Sequence, residues 1–207
     1  MEFIIFLIAL IINLTVHEAA HAITALKLGD STAKNEGRVS LNPIRHLDLM
    51  GSLVFIVTKQ IGWGKPVPVN PANFRNPVKD NALVALAGPL SSFLLALAMV
   101  FPWKYGINFL PKLLIDLIQY TFHISVFLGV FNILPIPPLD GSKILGFFVP
   151  KSYYLKYDDF LYKGQKYFIV IILLDVFVLR NLFNFSFLAS VISFLAEYVR
   201  FILLLGA

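Results

Sequence analysis

The sequence predicts an all-α polytopic membrane protein, on the grounds of its composition and its long apolar segments. Of the 207 residues, 58% are apolar and only 14% are charged, and the mean hydropathy is +0.78. A soluble domain of this length usually carries more charge. Several apolar segments reach the length of about 20 residues that crosses a bilayer as a helix. We therefore expect about five to six transmembrane or re-entrant helical segments.

The apolar segments define the expected elements in chain order. The segment 82–103 contains no charged residue, and 117–139 contains no Asp, Glu, Lys or Arg. The segment 49–58 is apolar but too short to span, so it is expected to be re-entrant or partly buried. A small extended or β segment is expected near residues 30–70, where Gly, Asn and Pro interrupt the chain. The expected spans are 3–26, 82–103, 117–139, 167–179 and 181–206.

The chain is expected to form one integral-membrane domain, residues 1–207. It contains no internal repeat and no low-complexity linker, and its longest polar interval, 59–80, has the length of a loop. The core of the domain is expected at about 4–147, followed by a C-terminal helical hairpin at about 166–206.

The net charge of +5 is concentrated in two regions. Eight Lys and Arg residues lie in 27–80 and five lie in 141–166. Two spans separate these regions and would place both on the same side of the membrane, and basic loops favour the cytoplasmic side. The distribution predicts cytoplasmic basic loops and an external N-terminus. It argues against a nucleic-acid partner, because the basic residues are accounted for by topology.

The most informative motif is His17-Glu18-Ala19-Ala20-His21, near the end of the first apolar segment. Ionisable side chains in hydrocarbon are costly, roughly 2.5 kcal/mol or more at the bilayer centre, and usually mark a site in a protected interior. On a helix, His17 and His21 lie one turn apart on the same face and can bind one metal ion. Glu18 can reach a water molecule without binding the metal itself. His46, in the basic loop, is expected to be solvated or to cap a helix.

A catalytic zinc site needs a third protein ligand and an open fourth position. The chain has no cysteine, so the ligands must be histidine or carboxylate. Asp140 is the candidate, because the nearby Pro135, Pro137 and Pro138 must interrupt a helix, and broken backbone at membrane depth is tolerated where it lines a cavity. The alternative role for Asp140 is the N-cap of a short helix at 141–149. Beside the histidine motif, the metal role is favoured.

The segment 62–70 contains two prolines in alternate positions. If this segment is a strand, Pro66 and Pro68 leave one edge without N–H donors, which is typical of an edge strand. An edge strand could hold an extended substrate by strand addition. The alternative is an extended interfacial loop. The amides that stay free to pair on the other edge are those of Lys65, Val67 and Val69.

Together, these motifs resemble the site-2 proteases, a family of intramembrane zinc metalloproteases. The resemblance rests on the histidine motif followed by Asn132–Gly141, in this order and each within an apolar segment. It extends from about Ile4 to Phe147 and points to the minimal subgroup without a PDZ or CBS domain. Family members often carry Asn where this chain has Ser92. Other matching phrases are Leu41-Asn42-Pro43, Gly62–Asn70 and Ala87-Gly88-Pro89-Leu90-Ser91.

The resemblance implies that His17, His21 and Asp140 hold one zinc ion per chain and that Glu18 is the catalytic base. Glu18 would take a proton from zinc-activated water as the water attacks the scissile carbonyl, and pass it to the leaving amine. The resemblance also implies that Asn132 contacts the substrate backbone or the oxyanion. From the sequence alone, a hydrogen bond within its own helix is an equal alternative for Asn132.

The implied function is hydrolysis of peptide bonds within or near transmembrane segments of membrane-anchored proteins, in the cell membrane of a prokaryote. The partners would be a membrane-embedded protein or peptide substrate and the lipid bilayer. The alternative function is a catalytically silent membrane scaffold or assembly factor of the same fold. A metal transporter is a third class, but its acidic and histidine residues would be spread over several spans.

Overall fold

The computed structural model describes residues 1–58 and 62–204, and almost all of its regular structure is helical. The predicted all-α class is confirmed. Within the described residues, α1, α4 and α5 are long and apolar enough to cross a membrane, judged by length and composition. The helices are α1 (Glu2–Lys27), α2 (Thr32–Asn35), α3 (Leu49–Thr58), α4 (Pro77–Gly106), α5 (Lys112–Ile133), α6 (Asp140–Ile144), α7 (Tyr154–Leu173), α8 (Arg180–Phe183) and α9 (Phe187–Leu203).

Small residues bring the three long helices close together. Membrane helices associate through close backbone packing, which small side chains permit. This close approach allows polar groups on different helices to meet. The small buried residues of α1 and α4 include Ala9, Ala19, Ala22, Ala25, Ala82, Ala85, Gly88 and Ala96.

Asn13 joins α1 to α5 one turn before the histidine motif. Its side-chain nitrogen lies 3.3 Å from the Thr121 carbonyl, and its side-chain oxygen accepts a hydrogen bond from the Ser125 hydroxyl. Asn13 and Ser125 are both buried. A buried amide costs free energy unless it is hydrogen-bonded, so these contacts specify how α1 sits against α5.

The interruption that the prolines predict within the segment 117–139 is confirmed, and the helix before it begins earlier than expected. Helix α5 begins earlier, at Lys112, whose ammonium group lies 2.7 Å from the Asp116 carboxylate one turn later. It ends at Ile133, and Leu134 already has an extended backbone. The cause is Pro135, because a residue that precedes proline is disfavoured in the helical conformation.

The boundary expected between 179 and 181 is wrong. Helix α7 continues through a π-helical turn, Leu174–Leu179, into α8. The chain turns only at Asn184, which has a left-handed backbone (φ +49°). Asp175 then connects this long helix to α9, because its carboxylate accepts from the Phe187 amide at 2.8 Å and from the Ser186 hydroxyl. The last residues of the span expected at 181–206 lie outside the described part of the chain.

Two alternatives were left open by the sequence, for the segment 49–58 and for the segment 62–70, and the structure describes both segments. Residues 49–58 form the helix α3, where Phe55 stacks on Phe6 of α1 with ring centroids 6.0 Å apart. Large side chains of α3 such as Val57 stay exposed, so α3 is partly buried as expected. In the described part of the segment that follows, only an isolated antiparallel bridge forms, between Leu47 and Gly64. This segment is therefore an extended loop rather than a regular edge strand.

Tyr157 of α7 fixes the short helix α6, which carries Asp140. The Tyr157 hydroxyl lies 2.9 Å from the Ser142 carbonyl and 3.0 Å from the Lys143 carbonyl, so it donates to this pair. Tyr157 and Ser142 are both buried. The hydroxyl is thus a tertiary link between the C-terminal helices and the start of α6.

Replacing Tyr157 by Phe should lower the free energy of unfolding by about 1 kcal/mol, because the ring is kept and one buried hydrogen bond is lost. For a chain of this length, the expected fall in Tm is about 2–4 °C. Thermal unfolding in detergent measures the effect beside Tyr153→Phe, a control at an exposed ring. Equal Tm values for the two variants would contradict this role for the hydroxyl.

Candidate metal centre

Three of the side chains singled out in the sequence meet between α1, α4 and α6. The Nε2 atoms of His17 and His21 each lie 3.1 Å from Oδ2 of Asp140. All three residues are buried, and their candidate ligand atoms lie within 4.8 Å of one another. In a tetrahedral zinc site with bonds of about 2.0–2.1 Å, neighbouring ligand atoms are roughly 3.3 Å apart. The observed spacing therefore suits a single metal ion.

Hydrogen bonds on the far side of each imidazole favour the same tautomer. His21 Nδ1 lies 2.7 Å from the Val84 carbonyl, which can only accept, so Nδ1 carries the proton. His17 Nδ1 lies 3.1 Å from the Ser92 hydroxyl, and that hydroxyl can donate to the Gly88 carbonyl at 3.3 Å. Both histidines then keep an Nε2 lone pair directed towards Asp140. Such outer partners orient metal-binding histidines and fix their tautomer.

Gly88 provides the space in which a cation would fit. A Cβ atom at this position would lie 2.3 Å from His21 Nε2 and 2.6 Å from His17 Nε2. Real Cβ atoms do not approach other atoms so closely, and the imidazoles are held by Ser92 and Val84. The absence of a side chain at Gly88 therefore leaves room beside both ligand nitrogens.

Asp140 reaches the histidines because the chain folds back after α5. Helix α6 begins at Asp140 and its N-cap is Leu139, so the alternative of Asp140 as an N-cap is wrong. The helix expected at 141–149 is a shorter α-helix that ends in a 3₁₀ turn, Leu145–Phe147. Gly141 permits the close return, because a Cβ there would lie 2.1 Å from the Ile133 carbonyl oxygen.

Glu18 lies beside the three converging residues but is not one of them. It is half-buried on α1, and its Oε2 accepts a hydrogen bond from the Val67 amide at 3.0 Å. The Lys65 amide donates to the His46 carbonyl at 2.9 Å. Two of the three amides that were expected to be able to pair therefore pair within the chain, so they are not available to a substrate.

The remaining sequence candidates, Asn132 and His46, make other contacts. Asn132 lies in the last turn of α5, and its side-chain nitrogen donates to the Leu128 carbonyl at 3.0 Å. This is the intrahelical alternative, and a substrate contact for Asn132 stays a prediction. His46 is fully buried, so it is not solvated, and it is instead the C-cap residue of the 3₁₀ turn Pro43–Arg45, its other expected role. Its Nε2 lies 2.7 Å from the Ser40 carbonyl.

The sequence motif that contains Gly88 was interpreted only as a match to the family, and no role was predicted for Gly88 itself. A usable signal was present. A Gly-Pro pair in the middle of a long uncharged helix weakens that helix unless a packing or functional reason requires it. Here the reason is the close approach of two imidazoles to Gly88. Ser92 was noted in the sequence only as a departure from the family's usual Asn, and no role was assigned to it, because a serine in a membrane helix commonly bonds to its own backbone.

Comparison with known proteins agrees with this geometry. Residues 104–174 match the family described as Peptidase family M50. The chain is 41% identical over 150 residues to "Putative zinc metalloprotease YwhC" of Bacillus subtilis, covering 69% of this chain and 68% of that protein. A similarly named protein of Methanocaldococcus jannaschii is 47% identical over 68 residues, covering 32% of this chain and 34% of that protein.

A third relative, from Mycolicibacterium smegmatis, also bears a zinc metalloprotease name. It is 27% identical over 143 residues, which cover 67% of this chain and 55% of that protein. No solved structure gives a significant match. The similarity to the Bacillus subtilis protein extends over more than two thirds of both chains, and the family match includes Asp140. The chain therefore belongs to peptidase family M50, the site-2 protease family of zinc metalloproteases.

Proposed function

We propose that this protein is an intramembrane zinc metalloprotease, which hydrolyses peptide bonds within or near transmembrane segments of membrane-anchored proteins. The observation that carries the proposal is the position of the converging residues. His17 and His21 lie on α1, a helix long and apolar enough to span a bilayer, and they are buried against Asp140. A hydrolytic site on such a helix would face substrates that share the membrane.

His17, His21 and Asp140 are the proposed zinc ligands, with one ion per chain. Two histidines and one carboxylate form a known type of catalytic ligand set, which leaves a fourth position for water or substrate. When bound, zinc supplies Lewis acidity, which polarises the scissile carbonyl and makes a water molecule more acidic. The chain contributes fixed Nε2 lone pairs, a buried carboxylate and the space beside Gly88.

Glu18 is the proposed general base. Its carboxylate follows His17 on α1 and stays outside the ligand set, so it is available for proton transfer. It accepts a proton from the attacking water and returns it to the leaving amine. Asn132 is proposed to contact the substrate backbone or the oxyanion, for which its amide would exchange its bond to Leu128.

Substrate binding along residues 65–69 stays part of the proposal in a changed form. A helical substrate hides its scissile carbonyl in hydrogen bonds, so it must unwind before cleavage. The amides of Lys65 and Val67 already donate within the chain. Strand addition here would therefore rely on carbonyl oxygens of the segment and on amides of the substrate.

Replacing Gly88 by Ala should abolish zinc binding, because the added methyl group occupies the space beside both ligand nitrogens. Wild type should purify with about one zinc ion per chain, as the single three-ligand set implies, measured by elemental mass spectrometry without chelators. Gly106→Ala is the matched control on the same helix, since its Cβ would meet the mobile tip of Leu110. Full zinc content in Gly88→Ala would contradict the proposed site.

Replacing Glu18 by Gln should leave zinc in place and lower cleavage roughly 10²–10⁴-fold, the usual loss for a general base. Gln removes the basic carboxylate but keeps a side-chain oxygen that can still accept a hydrogen bond from the Val67 amide, so the substitution tests the base alone. Wild type and variant would each be expressed in a bacterial host, and protein N-termini mapped by mass spectrometry. New termini within or beside membrane spans should arise with wild type alone.

Three other results of this measurement would count against parts of the proposal. Equal cleavage by wild type and Glu18→Gln would exclude Glu18 as the base. New termini confined to soluble proteins would exclude the intramembrane specificity. Zinc-loaded wild type that yields no new termini would favour the silent scaffold.

The basic loops 27–80 and 141–166 are proposed to be cytoplasmic and the N-terminus external. The chain lacks cysteine, so a membrane-impermeant maleimide can react only with a cysteine that is introduced. Its reaction in intact cells shows that the introduced cysteine lies outside the membrane. In intact bacterial cells, Asn108→Cys in the loop between α4 and α5 should react. Glu36→Cys and Lys151→Cys should react only after lysis. The reverse labelling pattern would show that the orientation is inverted.

A further inference from the structure

Outside the metal centre, three polar residues are buried where solvation would be expected. Asp30, Arg38 and His46 are 0%, 2% and 0% exposed. Charged residues are almost never fully buried unless they are paired. All three residues contact one stretch of chain, residues 64–70, which is called the extended segment.

Asp30 holds the C-terminal end of the extended segment. Helix α1 ends at Lys27, and Gly29 adopts φ +108°, which brings Asp30 back to donate its amide to the Ala25 carbonyl at 2.9 Å. The Asp30 carboxylate then accepts from the Asn70 amide at 2.8 Å and from the Asn73 side chain at 2.7 Å.

The charge state of Asp30 suits this role. Burial would raise the pKa of its carboxyl, but hydrogen bonds from Thr32, Asn70 and Asn73 outweigh burial and hold the pKa below its ordinary value. The group therefore stays a carboxylate at neutral pH and accepts strong, charge-assisted hydrogen bonds. The carboxylate thus links the end of α1 to the extended segment.

Arg38 and His46 hold the other end of the extended segment, at Lys65. The Arg38 guanidinium donates through Nη2 to the Lys65 carbonyl, and the His46 carbonyl accepts from the Lys65 amide at 2.9 Å. Among the described residues, Nε and Nη1 of Arg38 have no hydrogen-bond partner. Because the Arg38 guanidinium is buried, its bond to the Lys65 carbonyl is shielded from water.

Between these two anchored ends lies Val67, whose amide donates to Glu18 at 3.0 Å. The bond engages Oε2 and leaves Oε1 of Glu18 for a reacting water. A backbone amide held at both flanks restricts the rotation of the glutamate side chain. Restricting a catalytic group to a productive geometry is a recognised contribution to rate.

We infer that the extended segment is a positioning element for Glu18. Asp30 and Arg38 are positioning residues that act through it by holding the Val67 amide against the Glu18 carboxylate. That this positioning matters for catalysis rests on the proposed function, in which Glu18 is the general base. The contact itself can be measured without a substrate, because it protects a single amide from exchange.

Hydrogen–deuterium exchange is suited to this segment. Pro66 and Pro68 have no amide, so residues 65–70 contain four exchangeable amides. In detergent, Glu18→Ala should speed exchange of the Val67 amide about tenfold or more, the equilibrium factor for a lost hydrogen bond to a charged group. Asp30→Asn and Arg38→Met should speed the same amide, although neither residue touches it. Zinc content should stay at the wild-type level in all three variants.

Asp175→Asn is the matched control for Asp30→Asn. Asp175 is also a buried carboxylate that accepts from backbone amides and a hydroxyl, and it is far along the chain from the extended segment. It should leave Val67 exchange unchanged. Unchanged Val67 exchange in Glu18→Ala would overturn the contact. Unchanged exchange in both Asp30→Asn and Arg38→Met would overturn the positioning role.

Cleavage of the membrane targets identified with wild type separates positioning from general stability. Asp30→Asn and Arg38→Met should lower cleavage about tenfold at full zinc content, and Arg38→Lys, which keeps a donor for the Lys65 carbonyl, should restore part of it. Asp175→Asn should cleave as wild type does. Normal cleavage in both positioning variants would overturn the inference. Wild type without zinc or cleavage would instead contradict the proposed function, and the exchange data would still decide the Glu18 contact.

Discussion

The structure depends on one constraint, the need to satisfy two imidazoles and a carboxylate inside an apolar helix bundle. Unpaired polar groups in such surroundings cost several kilocalories per mole. Each ring therefore has a hydrogen-bond partner at Nδ1, either Ser92 or the Val84 carbonyl, and a cation bound between the Nε2 atoms and Asp140 would satisfy the other side. The close packing of α1 on α4, the glycine at 88 and the return of the chain after α5 all follow from this arrangement. A family of hydrolases has a reason to retain such a costly cluster.

The same logic extends to the loop that follows α1. Asp30, Arg38 and His46 are buried there, and each contacts the extended segment. The described residues form no sheet beside this loop, which would otherwise be free to move away from the metal centre. Asp30 and Arg38 replace the hydrogen bonds that a sheet would have supplied. Side chains, rather than a neighbouring strand, thus hold the loop in its extended conformation.

Periodic and motif-based features of this molecule could be predicted from the sequence, and single contacts could not. That His17, His21 and Asp140 would lie together was predictable, because the proposed zinc ligands have fixed types and spacing, and the apolar segments were predictable because a bilayer sets their length. The interruption after α5 was predictable as well, because Pro135 restricts the residue before it. The break at Asn184 was missed because no proline or glycine marks it. The burial of His46 could not be predicted, because it depends on residues that lie elsewhere in the chain.

The split of the ligand set has a consequence for how the protein is made. His17 and Asp140 are 123 positions apart, and Asp140 reaches the histidines only when α6 has docked beneath the end of α5. A nascent chain that has inserted α1 and α4 carries two histidines and no carboxylate to complete them. A site made of these three residues is therefore incomplete until the chain has been made as far as Asp140 and has folded back after α5. On the proposed function, a chain that stops before Asp140 would leave the membrane proteins inserted beside it intact.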